Sequence, residues 1–293
     1  MKVGAVFPQT AIGADAVAVA EYARRVEALG YDHILAYDHV LGADPSVHRD
    51  WRGNYDIHST FHEPMVLFGY LAGICSLELV TGIIILPQRQ TALVAKQAAE
   101  VDILSGGRLR LGVGLGWNRV EYEALGASFA GRGARLAEQV EVLRKLWTNR
   151  SVTHRSSHEV ITGAGLAPLP LQRPIPIWFG AQAKPALLRA GRLADGWFPQ
   201  VPPGRQLDDA LSHVAAGAKS VGRDPQSIAM EGGVSFGGGG AAAVAREVAT
   251  WREAGASHVY INTMVAGFQS LDAHLAALAA SAEALGLGER SRA

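Results

Sequence analysis

Short apolar runs of strand length alternate with amphipathic stretches of helical period along the whole chain, the pattern of repeated strand–helix units that feed a parallel sheet. Eight strands are predicted, at 3–7, 33–37, 77–86, 109–113, 175–179, 196–198, 228–236 and 258–262. The helices between and after them are predicted at 14–29, 63–75, 92–104, 132–147, 183–192, 206–221, 241–254 and 270–285, the first stopping at Gly30. The third run reads LELVTGIIIL, aliphatic and β-branched as a strand covered on both faces must be.

Eight units in 293 residues fit an α/β protein built as a single (β/α)8 TIM barrel over 1–293, a fold that takes about 250 residues before insertions. Two insertions are predicted, at 40–62 after the second strand and at 151–173 after the helix that follows the fourth strand. Long loops on such a scaffold shape the substrate site. The glycine run at 237–240 is either a lid hinge or a plain flexible loop. An open doubly wound sheet shares the alternation, but its dinucleotide-binding form needs a glycine fingerprint after the first strand. Here that turn reads Pro8-Gln9-Thr10-Ala11-Ile12-Gly13.

Composition narrows the partners. Hydrophobic residues at 48% and charged residues at 18% supply a large core and exclude a disordered chain. Lys plus Arg and Asp plus Glu both number 27, so no positive field gathers nucleic acid or anionic lipid, and neither is expected as a partner. Cys75, with Leu71, Ile74 and Leu79 around it in sequence, reads as a buried thiol. The amino-terminal run stops at Pro8, too short for a signal peptide, and no apolar run is long enough to cross a bilayer. A cytoplasmic protein is expected.

Candidate chemistry collects where predicted strands end. Asp38-His39 closes the second strand, which on a barrel points towards the catalytic mouth. The histidine can exchange a proton near neutral pH and the neighbouring carboxylate can orient it, or the pair caps loop backbone. Gly112-Val113-Gly114-Leu115-Gly116, followed by Trp117-Asn118, lets a phosphate or planar ring approach the backbone, or serves close packing. Gly180-Ala181-Gln182 leads from the fifth strand straight into a helix start whose amides can hold phosphate. Gly82-Ile83 is out of place inside a strand unless it makes a bulge or admits a ligand. His58 and His62 have the spacing of metal ligands on a helix but sit in a predicted loop beside His48, so no metal site is expected.

Taken together these segments resemble the luciferase-like monooxygenase superfamily, and within it the short deazaflavin (coenzyme F420)-dependent oxidoreductases. The resemblance covers nearly the whole chain. It rests on Asp38-His39, the run from Leu79 through Gly82-Ile83 to Pro87, Ser105-Gly106-Gly107-Arg108 leading to Gly116-Trp117, and Ile175 to Gly180 followed by Leu193-Ala194-Asp195-Gly196-Trp197. It implies a tricyclic redox cofactor at the strand carboxyl ends, backed by a non-proline cis peptide at Gly82-Ile83. It also implies cofactor contacts at Gln9, Asp38, Gly82, Ile83, Gly116, Asn118, Gly180, Ala181 and Gln182, with His39 beside the reactive carbon.

Trp117 stands where the sugar-phosphate dehydrogenases of this family carry a glutamate, which points away from sugar phosphates and towards a flat or apolar substrate. The expected activity is hydride transfer between coenzyme F420 and a small organic molecule. The alternatives are an FMN-dependent monooxygenase using reduced flavin and oxygen, and a barrel that binds cofactor without turnover. A homodimer is expected, as symmetric pairs are the usual soluble assembly.

Overall fold

The computed structural model describes residues 1–290. Parallel strands run β1 (Lys2–Val6), β2 (His33–Ala36), β3 (Glu78–Thr81), β4 (Ile84–Ile85) and β5 (Leu109–Gly114). A surface hairpin, β6 (Val152–Arg155) and β7 (Val160–Ala164), interrupts them before β8 (Ile177–Ala181), β9 (Gly196–Pro199), β10 (Ala229–Ser235) and β11 (His258–Asn262). Pairing follows the order β3-β2-β1-β11-β10-β9-β8-β5-β4, and β3 also pairs with β5. The sheet therefore closes on itself into an eight-stranded barrel, with β3 and β4 as halves of one broken strand.

Three expectations are corrected. The third strand does not run unbroken over 77–86: the Gly82-Ile83 peptide is cis, and the chain pairs again only at Ile84↔Val113. The fifth strand runs to Ala181 rather than Phe179, because Gly180 and Ala181 pair in register with Phe198 and Pro199. An extra short helix, Arg119–Ala124, precedes the predicted one, which spans Arg132–Thr148. The insertion at 151–173 carries the β6–β7 hairpin, whose two β-branched runs are mostly exposed. Among the described residues no helix is long and apolar enough to cross a membrane.

Strand periodicity of two sorts the side chains into two sets. Outward-facing Val3, Ile34, Leu79, Leu111, Phe179, Trp197, Val259 and Ile261 join the helices in one continuous core. Inward-facing Val6, Leu35, Val80, Trp178 and Phe198 form a separate apolar layer within the barrel. Gly196 is small because a β-carbon there would overlap the Trp178 indole. Cys75 is buried, as its neighbours predict.

Below the inner apolar layer, at the amino ends of the strands, lies a layer of charge. Glu231 is fully buried; its Oε1 lies 2.6 Å from His33 Nε2 and its Oε2 accepts from Arg110 Nη1. Arg110 also reaches Glu78 at 3.1 Å and lies 4.2 Å over the Trp178 ring. Burial alone would raise the Glu231 carboxyl, but the charges of Arg110 and His33 outweigh it and hold the group at about 2. Burial, with Arg110 adding to it, pushes His258 down to about 4.

Both shifts have the same consequence in acid. The Glu231 contribution is present above its unfolded value of about 4.3 and is lost as pH falls towards about 2. His258 favours its neutral form in the fold, so stability also declines as pH falls from its unfolded value of about 6.5 to about 4. Replacing Glu231 with Gln leaves Arg110 buried without its main counter-charge, and urea unfolding at pH 7 should show a loss of about 3–5 kcal/mol. A loss below about 1 kcal/mol would show that the layer does not hold the barrel floor.

Candidate active site

Above the inner apolar layer, at the carboxyl ends of the strands, is a cavity of about 570 Å³, within the range of about 300–1,000 Å³ usual for small-molecule sites. Asp38, His39, Gly82, Ile83, Gly116, Trp117, Gly180, Ala181 and Gln182 all line it. Segments separated by 144 positions, from Asp38 to Gln182, thus meet at one rim. Tyr37 and Tyr260 line it too, together with Tyr55 and Arg132. A surface groove of about 590 Å³ beside Glu138, Arg144 and Lys145 lies on the exposed face of the helix Arg132–Thr148, remote from the strand ends.

The cavity wall is set by one isoleucine and the residues that make room for it. Ile83 stands against Gly114, where a β-carbon would overlap its Cδ1, and against Gly180, where a β-carbon would lie 3.3 Å from its Cγ2. Gly116 has φ +63°, a conformation open to glycine at little cost, and a β-carbon there would come within 2.7 Å of Ile85 Cγ2. The glycines of β5 and β8 therefore admit Ile83 to the wall, and no side chain of their own projects across it.

Asp38 and His39 act separately. Asp38 is buried; Oδ1 accepts from Arg89 Nη2 at 2.8 Å and Oδ2 from the Ile85 N–H at 3.0 Å. Burial raises the Asp38 carboxyl above its usual range while Arg89 and the Ile85 amide pull it back. Arg89 also binds Glu63 at 2.9 Å, tying the rim to the helix Pro64–Ala72. Asp38 thus braces the broken strand by capping backbone, one of the two readings its sequence position left open, and its bonds among the described residues do not include His39. The carboxylate beside His39 is Glu121, with Nδ1 and Oε2 3.6 Å apart.

Aromatic rings surround the His39 imidazole. Phe61 lies 4.8 Å away centroid to centroid, Tyr55 5.2 Å and Trp117 5.5 Å, and Trp51 in turn packs 5.5 Å from Trp117. Burial pushes the Tyr55 hydroxyl up, keeping it neutral at ordinary pH. Three of these four rings come from the insertion at 40–62, and one of them, Tyr55, lines the cavity itself. Their concentration there was the readable signal that the loop lines the site.

Two predicted contacts lie off the cavity lining. Gln9 is fully buried, its Nε2 donating to the Tyr37 carbonyl at 2.8 Å and its Oε1 accepting from the His62 N–H at 3.2 Å, so it ties the loop to β2. Asn118 caps the helix Arg119–Ala124: Oδ1 accepts from Val120 and Glu121 amides, and Nδ2 donates to the Leu41 carbonyl. Both amide groups are occupied at each end by the fold. Glu121 was missed, although Asn118-x-x-Glu121 has the spacing of a helix start that places an acid in the first turn. His58 and His62 lie in loop, and His62 bonds the Gly13 carbonyl at 2.9 Å.

Comparison with known proteins identifies the family and the fold. The family model for luciferase-like monooxygenase matches residues 2–292, and the chain belongs to that family. An uncharacterized protein of Mycobacterium tuberculosis is 40% identical over 44% of this chain and 44% of its own length. The F420-dependent hydroxymycolic acid dehydrogenase of the same organism is 32% identical over 55% of this chain and 45% of its own. The chain thus spans about half the length of these curated relatives.

Among solved structures, an F420-dependent secondary alcohol dehydrogenase, in complex with an F420-acetone adduct, superposes with a TM-score of 0.78 at 16% identity, over 97% of this chain and 98% of that one. A monooxygenase of Streptomyces bottropensis superposes with a TM-score of 0.78 at 19% identity over all of both chains. These likenesses establish the barrel fold.

The wall geometry predicts the result of filling one gap. Gly114→Ala should force the Ile83 side chain into the cavity and cost about 1–3 kcal/mol of stability, the first read from a crystal structure of the variant and the second from thermal unfolding. An Ile83 that keeps its position with stability unchanged would show that β5 does not shape the wall.

Proposed function

We propose that this protein is an oxidoreductase that transfers a hydride between coenzyme F420 and a small organic substrate with a flat or apolar body. The observation that carries the reading is the convergence of Gly82-Ile83, Gly116 and Gly180–Gln182 on one cavity with His39 at its edge. A planar ring fits the features present: a wall left open by the glycines of β5 and β8, and a space of about 570 Å³. Family membership and the F420-dependent relatives support the choice of deazaflavin.

In this reading Ile83, Gly116, Gly180 and Ala181 hold the ring. Gln182 and Ala183 bring to the same cavity the start of the helix Lys184–Leu193, which no side chain caps. Pro185 has no N–H and the Ala186 N–H donates to the Ala183 carbonyl, so the first turn offers an anionic tail at most the Lys184 amide. When bound, the deazaflavin supplies the hydride chemistry. The protein positions substrate against it, with Trp117 and Tyr55 giving aromatic faces, Phe61 packed behind the imidazole, and His39 exchanging the substrate proton. A flat or apolar body suits the aromatic side of this cavity, while Arg132 and Asp38 are the charged groups along its lining.

Titrating the purified protein separately with oxidised F420 and with FMN tests the assignment. Micromolar binding of F420, with hydride exchange on a panel of alcohols and enones, is expected; binding of FMN alone would transfer the protein to the flavin monooxygenases. On any substrate found, His39→Ala should lower kcat by about 10²–10⁴-fold with F420 binding changed less than about twofold. Full turnover by that variant would remove the histidine from the chemistry.

A further inference from the structure

Glu121 is buried to 1% exposure, yet it belongs to no structural ion pair with Lys or Arg among the described residues. Its Oε1 accepts the backbone N–H groups of Val40 at 2.5 Å and Leu41 at 3.2 Å, the two residues that follow His39. Its Oε2 accepts from Gln88 Nε2 at 3.2 Å and faces His39 Nδ1 at 3.6 Å. Burial opposes the charge, but the nearby His39 imidazole and the bonds from Val40, Leu41 and Gln88 outweigh it and hold the carboxyl below its usual range. The carboxylate is thus fixed on the backbone of the segment it serves and aimed at one nitrogen of the ring.

The other surroundings of the imidazole leave Glu121 without a competitor. Asp38 is committed to Arg89 and the Ile85 amide, Tyr55 is the one titratable group among the three rings packed on His39, and Arg132 is the cation lining the same cavity. Nε2 makes no hydrogen bond among the described residues. At 3.6 Å the Nδ1 contact is an ion-pair approach rather than a formed hydrogen bond, and such contacts tighten when the ring gains charge.

We infer that Glu121 is the positioning residue of His39: it keeps a proton on Nδ1, leaves the Nε2 lone pair for the substrate, and stabilises the imidazolium formed there. The inference rests on the hydride-transfer reading above. In the oxidation of an alcohol, the O–H proton would pass to Nε2 and the carbonyl double bond form as bound deazaflavin, the two-electron oxidant, took up the C–H electron pair as hydride. The Nδ1 proton stays with Glu121 throughout. In the reverse direction Nε2 returns the proton.

The test is Glu121→Gln. Its amide oxygen must stay with the Val40 and Leu41 amides, which turns the NH2 group towards His39, a donor facing a donor unless the ring moves its proton to Nε2. Gln88, whose Oε1 is buried without a partner, can flip to accept from the new amide, so the fold tolerates the change.

¹⁵N NMR of the histidine side chains in cofactor-free protein should show the Nδ1–H tautomer in the native chain and the Nε2–H tautomer in Glu121→Gln. The acid limb of the kcat/KM profile should move to lower pH by about one unit, and Glu121→Asp should restore most of that shift. A structural role alone would change unfolding temperature and leave the tautomer in place.

An Nε2–H tautomer in the native protein overturns the inference even if no variant folds, as does an unchanged tautomer in Glu121→Gln. Failure to bind F420 would sink the hydride-transfer reading while leaving the tautomer result standing, so the two failures are distinguishable.

Discussion

Everything at the site depends on how Ile83 is accommodated. The barrel interior is close-packed, so a side chain standing at the cavity wall has to find space in its neighbours. Gly114 on β5 and Gly180 on β8 provide it, and the strand that carries Ile83 breaks into β3 and β4 around it. Arg89, Glu63 and Asp38 then secure that break, since Asp38 bonds the Ile85 amide directly beyond it. A side chain at Gly114 brings a clash with Ile83, and loss of Arg89 leaves the buried Asp38 without its cation.

The barrel interior is a stack of three environments with separate tasks. The charge layer of His33, Glu78, Arg110 and Glu231 closes the amino end. Val6, Leu35, Val80, Trp178 and Phe198 seal it from the cavity. Above them the side chains shrink to glycine on β5 and β8, and tyrosines from β11 and the end of β2 complete the floor. Stability is thus concentrated at one end of the strands and room for a ligand at the other, the division that barrel enzymes use generally.

Much of this could be read from the chain. The alternation of strand-length apolar runs with helical stretches marks all eight barrel strands, and the strand ends mark the cavity because barrel topology gathers them at one rim. What was not legible has physical causes. For Asp38 adjacency left orienting His39 and capping backbone both open; consecutive residues at a strand end point to opposite sides, and the charged partners of Asp38 and His39, Arg89 and Glu121, lie 51 and 82 positions away. Gln9 and Asn118 occupy rim positions yet spend their amides on backbone. The hairpin at β6–β7 was missed because exposed strands carry little hydrophobic signal.

The claim beneath the account is that one planar redox ring lies against Ile83, with His39 and its aromatic cage on the substrate side. A crystal structure of the protein soaked with oxidised deazaflavin measures this directly. The account predicts the ring across Gly116 and Gly180, one face on Ile83 and the other open towards His39 and Trp117. A ring bound away from Ile83, or held on the outer surface by the charged helix Arg132–Thr148, would contradict it.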